Sequence, residues 1–172
     1  MLRATLVQTQ LQKSKTKVIE HILKLLNKVG SSGSDIVCLP ELWYTKTVTN
    51  FEVEFAEIMD AAKEYNITII LGVFLEKVDY HEEDNNNNNN NNNNLVQISS
   101  PVIATGVIIL GRQLKIHPFG SQRKVVKADT KVQVFESRNC KFGIGICYDI
   151  VFPEVARLLA RKGAEYSFFL QE

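Results

Sequence analysis

The segment KFGIGICYDIVFPEVARLL, Lys141 to Leu159, runs from an apolar, Gly-punctuated stretch into Cys147, then a Tyr-Asp pair, then Phe152-Pro153-Glu154 at the head of a helical pattern. A strand that turns tightly into a helix pushes the central side chain into the open and leaves nearby backbone N–H groups unspent. A thiol at that point is either a small core hydrophobe or an activated nucleophile. Free cysteine is among the most buried residue types, and its unperturbed pKa of about 8.5 keeps it protonated at neutral pH. A nucleophilic cysteine therefore needs a base, a cation or a helix N-terminus beside it, and the helix opening near Pro153 is one such neighbour.

Outward from this turn, the chain reads as alternating strands and helices. Residues 2–8 form a strand pattern, and SKTKVIEHILKLLNKVGSSG a helix with Val18, Ile22, Leu25, Leu26 and Val29 on one face and Gly30 at its end. DIVCLPE is a short buried strand that stops near Pro40, which leaves Glu41 just beyond a strand end. FEVEFAEIMDAAKEYN repeats helical spacing through Phe51, Phe55, Ile58 and Ala62. ITIILGVFL then reads as one continuous apolar strand covered on both faces. Strand patterns PVIATGVIIL, RQLKIH and VQVFE follow, then FGIGIC, the helix PEVARLLARKG and a last strand, EYSFFL. That order predicts a layered α/β fold with helices packed on mostly buried sheet.

With 172 residues and 45% hydrophobic content, the default expectation is one well-packed domain over residues 1–172. Twenty basic against 19 acidic residues, a formal charge of +1, carry no electrostatic footprint for nucleic acid or an anionic membrane. Cys38, Cys140 and Cys147 are odd in number and widely spaced, without a CxxC or Cys/His cluster, so reduced thiols in a cytoplasmic protein fit better than disulfides or zinc. No run reaches the roughly 20 apolar residues that span a bilayer. Asn85–Asn94 is an unbroken Asn tract with two open readings, a low-complexity loop or placeholders for unidentified residues, and no chemistry is drawn from it.

Three motifs stand in order: CLPELW at 38–43, GRQLKIHPF at 111–119 and GICYDIVFPEVARLLARKGAE at 145–165. Together they resemble the nitrilase, or carbon–nitrogen hydrolase, superfamily, and the resemblance runs nearly the whole chain apart from the Asn tract. It implies a four-layer α-β-β-α sandwich, incomplete at the C-terminus, where nothing follows to cover EYSFFL. It implies a Glu-Lys-Cys triad, carried here by Glu41, Lys115 and Cys147, with no metal or organic cofactor. It implies a small-molecule amide as substrate and a homo-oligomer, dimer or higher, assembled through the face carrying the helix after the cysteine. Nitrile hydrolysers of the family usually carry Trp-Glu after the cysteine, whereas Cys147-Tyr148-Asp149 is similar to the small-molecule amidases, including those acting on ω-amides of dicarboxylic acids.

The residue types suit that chemistry on their own terms. A carboxylate among Leu39, Leu42 and Trp43 is desolvated, which fits Glu41 to take the thiol proton and later activate water. A fixed ammonium at Lys115 stabilises both a thiolate and an oxyanion, and the N–H of Tyr148, the residue after the nucleophile, is the natural second oxyanion donor. Asp149 is expected to hold the turn through hydrogen bonds. Arg157, His21 and His117 are assigned to packing or surface; on a regular strand His117 would share the face of Lys115.

Two departures from the family pattern stand out. Gln122 of FGSQRKVV aligns where a second glutamate usually positions lysine and substrate, and an amide there keeps a hydrogen bond but not a charge. KADT replaces the usual Pro-Gly before the next strand. Two other readings stay open on this evidence. One is a catalytically impaired binding or scaffold protein on the same fold. The other is a glutamine amidotransferase type of cysteine hydrolase, which needs a catalytic histidine; only His21, His81 and His117 exist, and none lies downstream of Cys147.

Overall fold

The computed structural model describes residues 2–9, 14–77, 96–104, 108–137 and 140–171; the Asn85–Asn94 tract and His81 lie outside them. Nine strands and four α-helices follow in chain order among these residues. They are β1 (Ala4–Leu6), α1 (Lys15–Ser31), β2 (Ile36–Cys38), α2 (Phe51–Glu54), α3 (Ala56–Glu64), β3 (Thr68–Ile70), β4 (Phe74–Lys77) and β5 (Val96–Ala104). After these come β6 (Ile108–Leu114), β7 (Val134–Ser137), β8 (Cys140–Ile146), α4 (Pro153–Arg161) and β9 (Tyr166–Leu170).

The strands form two sheets. In the first, β1, β2 and β3 run parallel, and β5 pairs antiparallel with β3 near one end, with β4 near the other, and with β6. In the second, β8 lies between antiparallel β7 and parallel β9. Alternation along β2 and β3 sorts the side chains into two cores. Val37, Leu39, Ile67, Ile69 and Leu71 face Val18, Ile22 and Leu26 of α1 and Ile58, Met59 and Ala62 of α3. Ile36, Cys38 and Ile70 face the opposite way and meet Phe135, Phe142, Ile144 and Ile146 of the second sheet. On that sheet's outer side, Val155 and Leu159 of α4 pack with Val132, Val134 and Phe169. Helix, sheet, sheet and helix therefore stack as four layers, as the motifs implied.

Local differences from the sequence reading have physical causes. ITIILGVFL is two strands, because the chain turns at Leu71-Gly72: Gly72 has φ +97°, and the Trp43 indole donates to the Leu71 carbonyl at 2.6 Å. FEVEFAEIMDAAKEYN is two helices. Asn50 caps the first by accepting from Val53 N at 3.0 Å, and Phe55 leaves helical geometry (φ −124°) between them while its ring packs 5.6 Å from Trp43 and 5.2 Å from Phe74. Gly30 does not end α1, which continues to Ser31; its missing side chain makes room for the Tyr65 ring. RQLKIH is not a strand of its own: its first three residues complete β6, which stops at Leu114. Among the described residues, no helix is long and apolar enough to cross a membrane.

A Cβ at Gly72 would stand 2.4 Å from the Pro40 carbonyl oxygen and 2.7 Å from the Trp43 indole nitrogen, on backbone that side chains already avoid. Gly72→Ala is expected to lower the unfolding free energy by about 2 kcal/mol, combining left-handed strain with a backbone collision. Urea denaturation of both proteins measures it.

Candidate active site

β8 delivers the cysteine. Its glycines permit close layering: a Cβ at Gly143 would meet Leu159, and one at Gly145 would meet Phe169. The strand ends at Ile146, a 3-10 turn spans Cys147–Val151, and Pro153 opens α4 at a position where its missing N–H costs nothing. Cys147 itself has φ +48°, a region that non-glycine residues rarely occupy outside strained or functional turns. Cys38 and Cys140 are buried, whereas Cys147 is partly accessible. Burial pushes the Cys38 thiol up to about 12, which marks it as an inert core group.

Glu41 arrives from the first sheet. Beyond β2, Leu39 N still donates to Ile70 O at 2.9 Å, and Glu41 forms an isolated parallel bridge with Val73. The next residue, Leu42, has φ +55°, and this turn is pinned by the Trp43–Leu71 hydrogen bond. Half-buried Glu41 is thereby brought to hydrogen-bond the Cys147 thiol.

Lys115 is the first residue past β6. Its backbone is tied on both sides, with N–H donating to Ile98 O at 2.8 Å and C=O accepting from Asp129 N at 3.1 Å. The side chain has no exposed surface, and its Nζ has no hydrogen-bond partner among the described residues. Three influences meet on the Cys147 sulfur as a result. Burial raises its pKa first, the Glu41 carboxylate raises it further, and the Lys115 ammonium and the Tyr148 N–H pull it back down; the net shift is upward. In this state the group is a thiol hydrogen-bonded to a carboxylate, with a cation held close by.

Asp149 has no exposed surface and behaves as the sequence suggested. Its carboxylate accepts from Ile146 N at 3.1 Å within the elbow. It also accepts from His117 N at 2.8 Å and from the His117 ring Nδ1 at 2.9 Å, across 32 residues of chain. His117 is thus more than packing. It does not share a strand face with Lys115, because β6 has already ended, and its ring stacks on Phe152 with centroids 3.6 Å apart. Nothing local in the sequence marks this pairing; only the three-dimensional approach of two turns makes it. Gln122 uses its side-chain oxygen inside its own 3-10 turn, Gly120–Lys124, where it accepts from Phe119 N at 3.0 Å. The Tyr148 ring lies between Phe119, at 4.8 Å, and Phe152, at 5.3 Å. No group of three or more His, Cys, Asp or Glu suited to a metal ion occurs among the described residues.

Comparison with known proteins agrees with this architecture. An omega-amidase of Xenopus tropicalis is 27% identical over 181 residues, covering 95% of this chain and 60% of that protein. A nitrilase of Pyrococcus abyssi is 30% identical over 158 residues, covering 83% of this chain and 53% of the other. A solved carbon-nitrogen hydrolase from Helicobacter pylori G27 superposes with a TM-score of 0.77 at 23% identity, over 98% of this chain and 59% of its own, and at that identity the likeness speaks for the fold. The chain spans about 60% of the length of the omega-amidases that it matches. The family model of the carbon-nitrogen hydrolases runs from residue 3 to residue 171, through all three motifs and both sheets, and so the chain belongs to the carbon-nitrogen hydrolase family.

Proposed function

We propose that this chain hydrolyses a small amide through a thioester on Cys147, with the ω-amide of a dicarboxylic acid as the favoured substrate class. The observation that carries the reading is the meeting of a carboxylate, a buried ammonium and a backbone N–H on one partly accessible sulfur. Glu41 takes the thiol proton as the sulfur attacks the amide carbon, and the Lys115 ammonium and the Tyr148 N–H hold the oxyanion. Glu41 then gives that proton to the nitrogen, the C–N bond breaks and ammonia leaves. Water, deprotonated by Glu41, adds to the thioester carbon. The C–S bond breaks, the acid departs and Cys147 regains its proton. Tyr-Asp after the cysteine favours amides over nitriles, and the likeness to an omega-amidase extends over more of this chain than that to a nitrilase, 95% against 83%.

The same reading has residues 1–172 belong to one hydrolase domain that works in the cytoplasm and self-associates through the face where Ile150, Val151 and Leu158 are exposed. Gln122 favours a second reading, an impaired enzyme kept for binding, since its side-chain oxygen is spent on its own turn and carries no charge toward Lys115.

Ammonia release from a panel of small amides, nitriles and N-carbamoyl compounds separates these. Release confined to amides, absent in Cys147→Ala and lowered roughly 10²–10³-fold in Lys115→Met, is the expected result. Silence across the panel from folded protein supports the binding reading and makes Gln122→Glu the first variant to try.

The thiol itself gives a pH test. Because Cys147 sits above the usual thiol range, its thiolate is a minor form at neutral pH, and alkylation by iodoacetamide should accelerate with rising pH, at higher pH than for an unperturbed thiol. Glu41→Gln removes a neighbouring negative charge that raises the pKa, so the midpoint of the alkylation curve should move to lower pH while hydrolysis is lost. A midpoint that stays put or moves upward would speak against Glu41 as the thiol's charge partner.

A further inference from the structure

Lys115 and Cys147 come from different sheets, and neither touches the other's backbone through regular pairing. What joins their segments is a cluster one step away from the sulfur. The Asp149 carboxylate lies two residues past Cys147, is wholly buried, and gathers donors from both sides. Ile146 N comes from the elbow; His117 N and His117 Nδ1 come from the segment carrying Lys115. A carboxylate can only accept, so Nδ1 carries the proton in this contact. The opposite end of the cluster is aromatic: the His117 ring stacks on Phe152, and Phe119 from the same segment packs on Tyr148. The turn after β6 is therefore pressed onto the 3-10 turn after β8 by charge-assisted hydrogen bonds on one side and ring contacts on the other.

We propose that His117 and Asp149 form a latch that sets the distance between the Lys115 ammonium and the Cys147 sulfur, making both of them positioning residues for the reaction. The proposal rests on the covalent reading above and deepens it. An ammonium acts on a neighbouring sulfur or oxyanion in inverse proportion to separation, and misplacement by about 1 Å is enough to cost two orders of magnitude in favourable cases. His117 reaches neither the sulfur nor the substrate in this account; it acts by fixing where the segment that begins at Lys115 sits.

Two substitutions at the half-buried His117 separate the latch from mere packing. His117→Phe keeps a ring on Phe152 and loses the Nδ1–H donor. His117→Asn loses the stack and keeps an amide N–H near the position of Nδ1. Each variant is first checked for a native-like thermal unfolding curve. Cys147 alkylation by iodoacetamide is then followed by mass spectrometry, with buried Cys38 and Cys140 as slow internal references, and steady-state ammonia release is measured on the best amide. The latch predicts that His117→Phe slows alkylation and lowers kcat by about tenfold or more, with KM within about twofold, while His117→Asn stays within about threefold of native on both. Native rates in His117→Phe, or equal damage in both variants, would overturn it. Alkylation needs no turnover: if the native chain hydrolyses nothing, the proposed reaction fails, and the alkylation rates alone still decide the latch.

Discussion

Placing the Lys115 ammonium where water cannot reach it is the most demanding thing this fold does. A buried charge without compensation is among the costliest groups a protein can hold, and among the described residues the Lys115 Nζ has no hydrogen bond to offset its desolvation. Opposite charge is close by: the Glu41 carboxylate and the Lys115 ammonium both act on the Cys147 sulfur, itself a neutral thiol. Removing the Glu41 carboxylate should make the lysine harder to keep in place, so the site is one coupled unit. On the proposed mechanism, the same placement holds the ammonium ready to meet negative charge developing on sulfur or oxygen.

The topology explains how three residues so far apart in sequence come together. Glu41 stands three residues past the end of β2, Lys115 one past β6, and Cys147 one past β8. All three follow the C-terminal ends of strands, two in the first sheet and one in the second. The site therefore lies across the seam between the sheets, and its geometry is only as firm as their packing. That gives Ile36, Cys38 and Ile70 on one side, and Phe142, Ile144 and Ile146 on the other, an indirect part in placing the three residues. A shift of the second sheet over the first would carry the sulfur away from both charges without touching any of the three residues.

Much of this was legible in the chain. Periodicity found α1, β2, β8 and α4, because each buries one face or is largely apolar, and it found β9, which is buried only toward Leu170; the three motifs pointed to four layers. Asp149 was also expected to hold the turn through hydrogen bonds, and its carboxylate does accept from Ile146 N. What was hidden depended on partners distant in sequence. ITIILGVFL carries one breaker, Gly72, that its continuous apolar character masks, and the turn there is held by an indole 28 residues earlier claiming the Leu71 carbonyl. His117 looked idle because its partner is 32 residues downstream. Gln122 aligned with a positioning residue, yet its side-chain oxygen satisfies a backbone N–H three residues back, a local bond that motif spacing does not reveal.

Backbone strain marks the same place by an independent route. Three non-glycine residues among those described have positive φ: Leu42, Asn66 and Cys147. Asn66 follows α3, where asparagine commonly adopts this geometry to end a helix, and needs no further cause. A leucine and a cysteine have no such excuse, and each costs on the order of 1–3 kcal/mol to hold there. Leu42 adjoins Glu41, and Cys147 is the thiol itself. Relaxing Leu42 would turn Glu41 off its bridge to Val73, and relaxing Cys147 would swing the sulfur away from the Tyr148 N–H. The Trp43 indole on one side and the buried Asp149 carboxylate on the other oppose those relaxations. Strain and restraint are thus paired at both ends of the Glu41–Cys147 hydrogen bond, which is how a fold keeps two side chains in contact against their local conformational preferences.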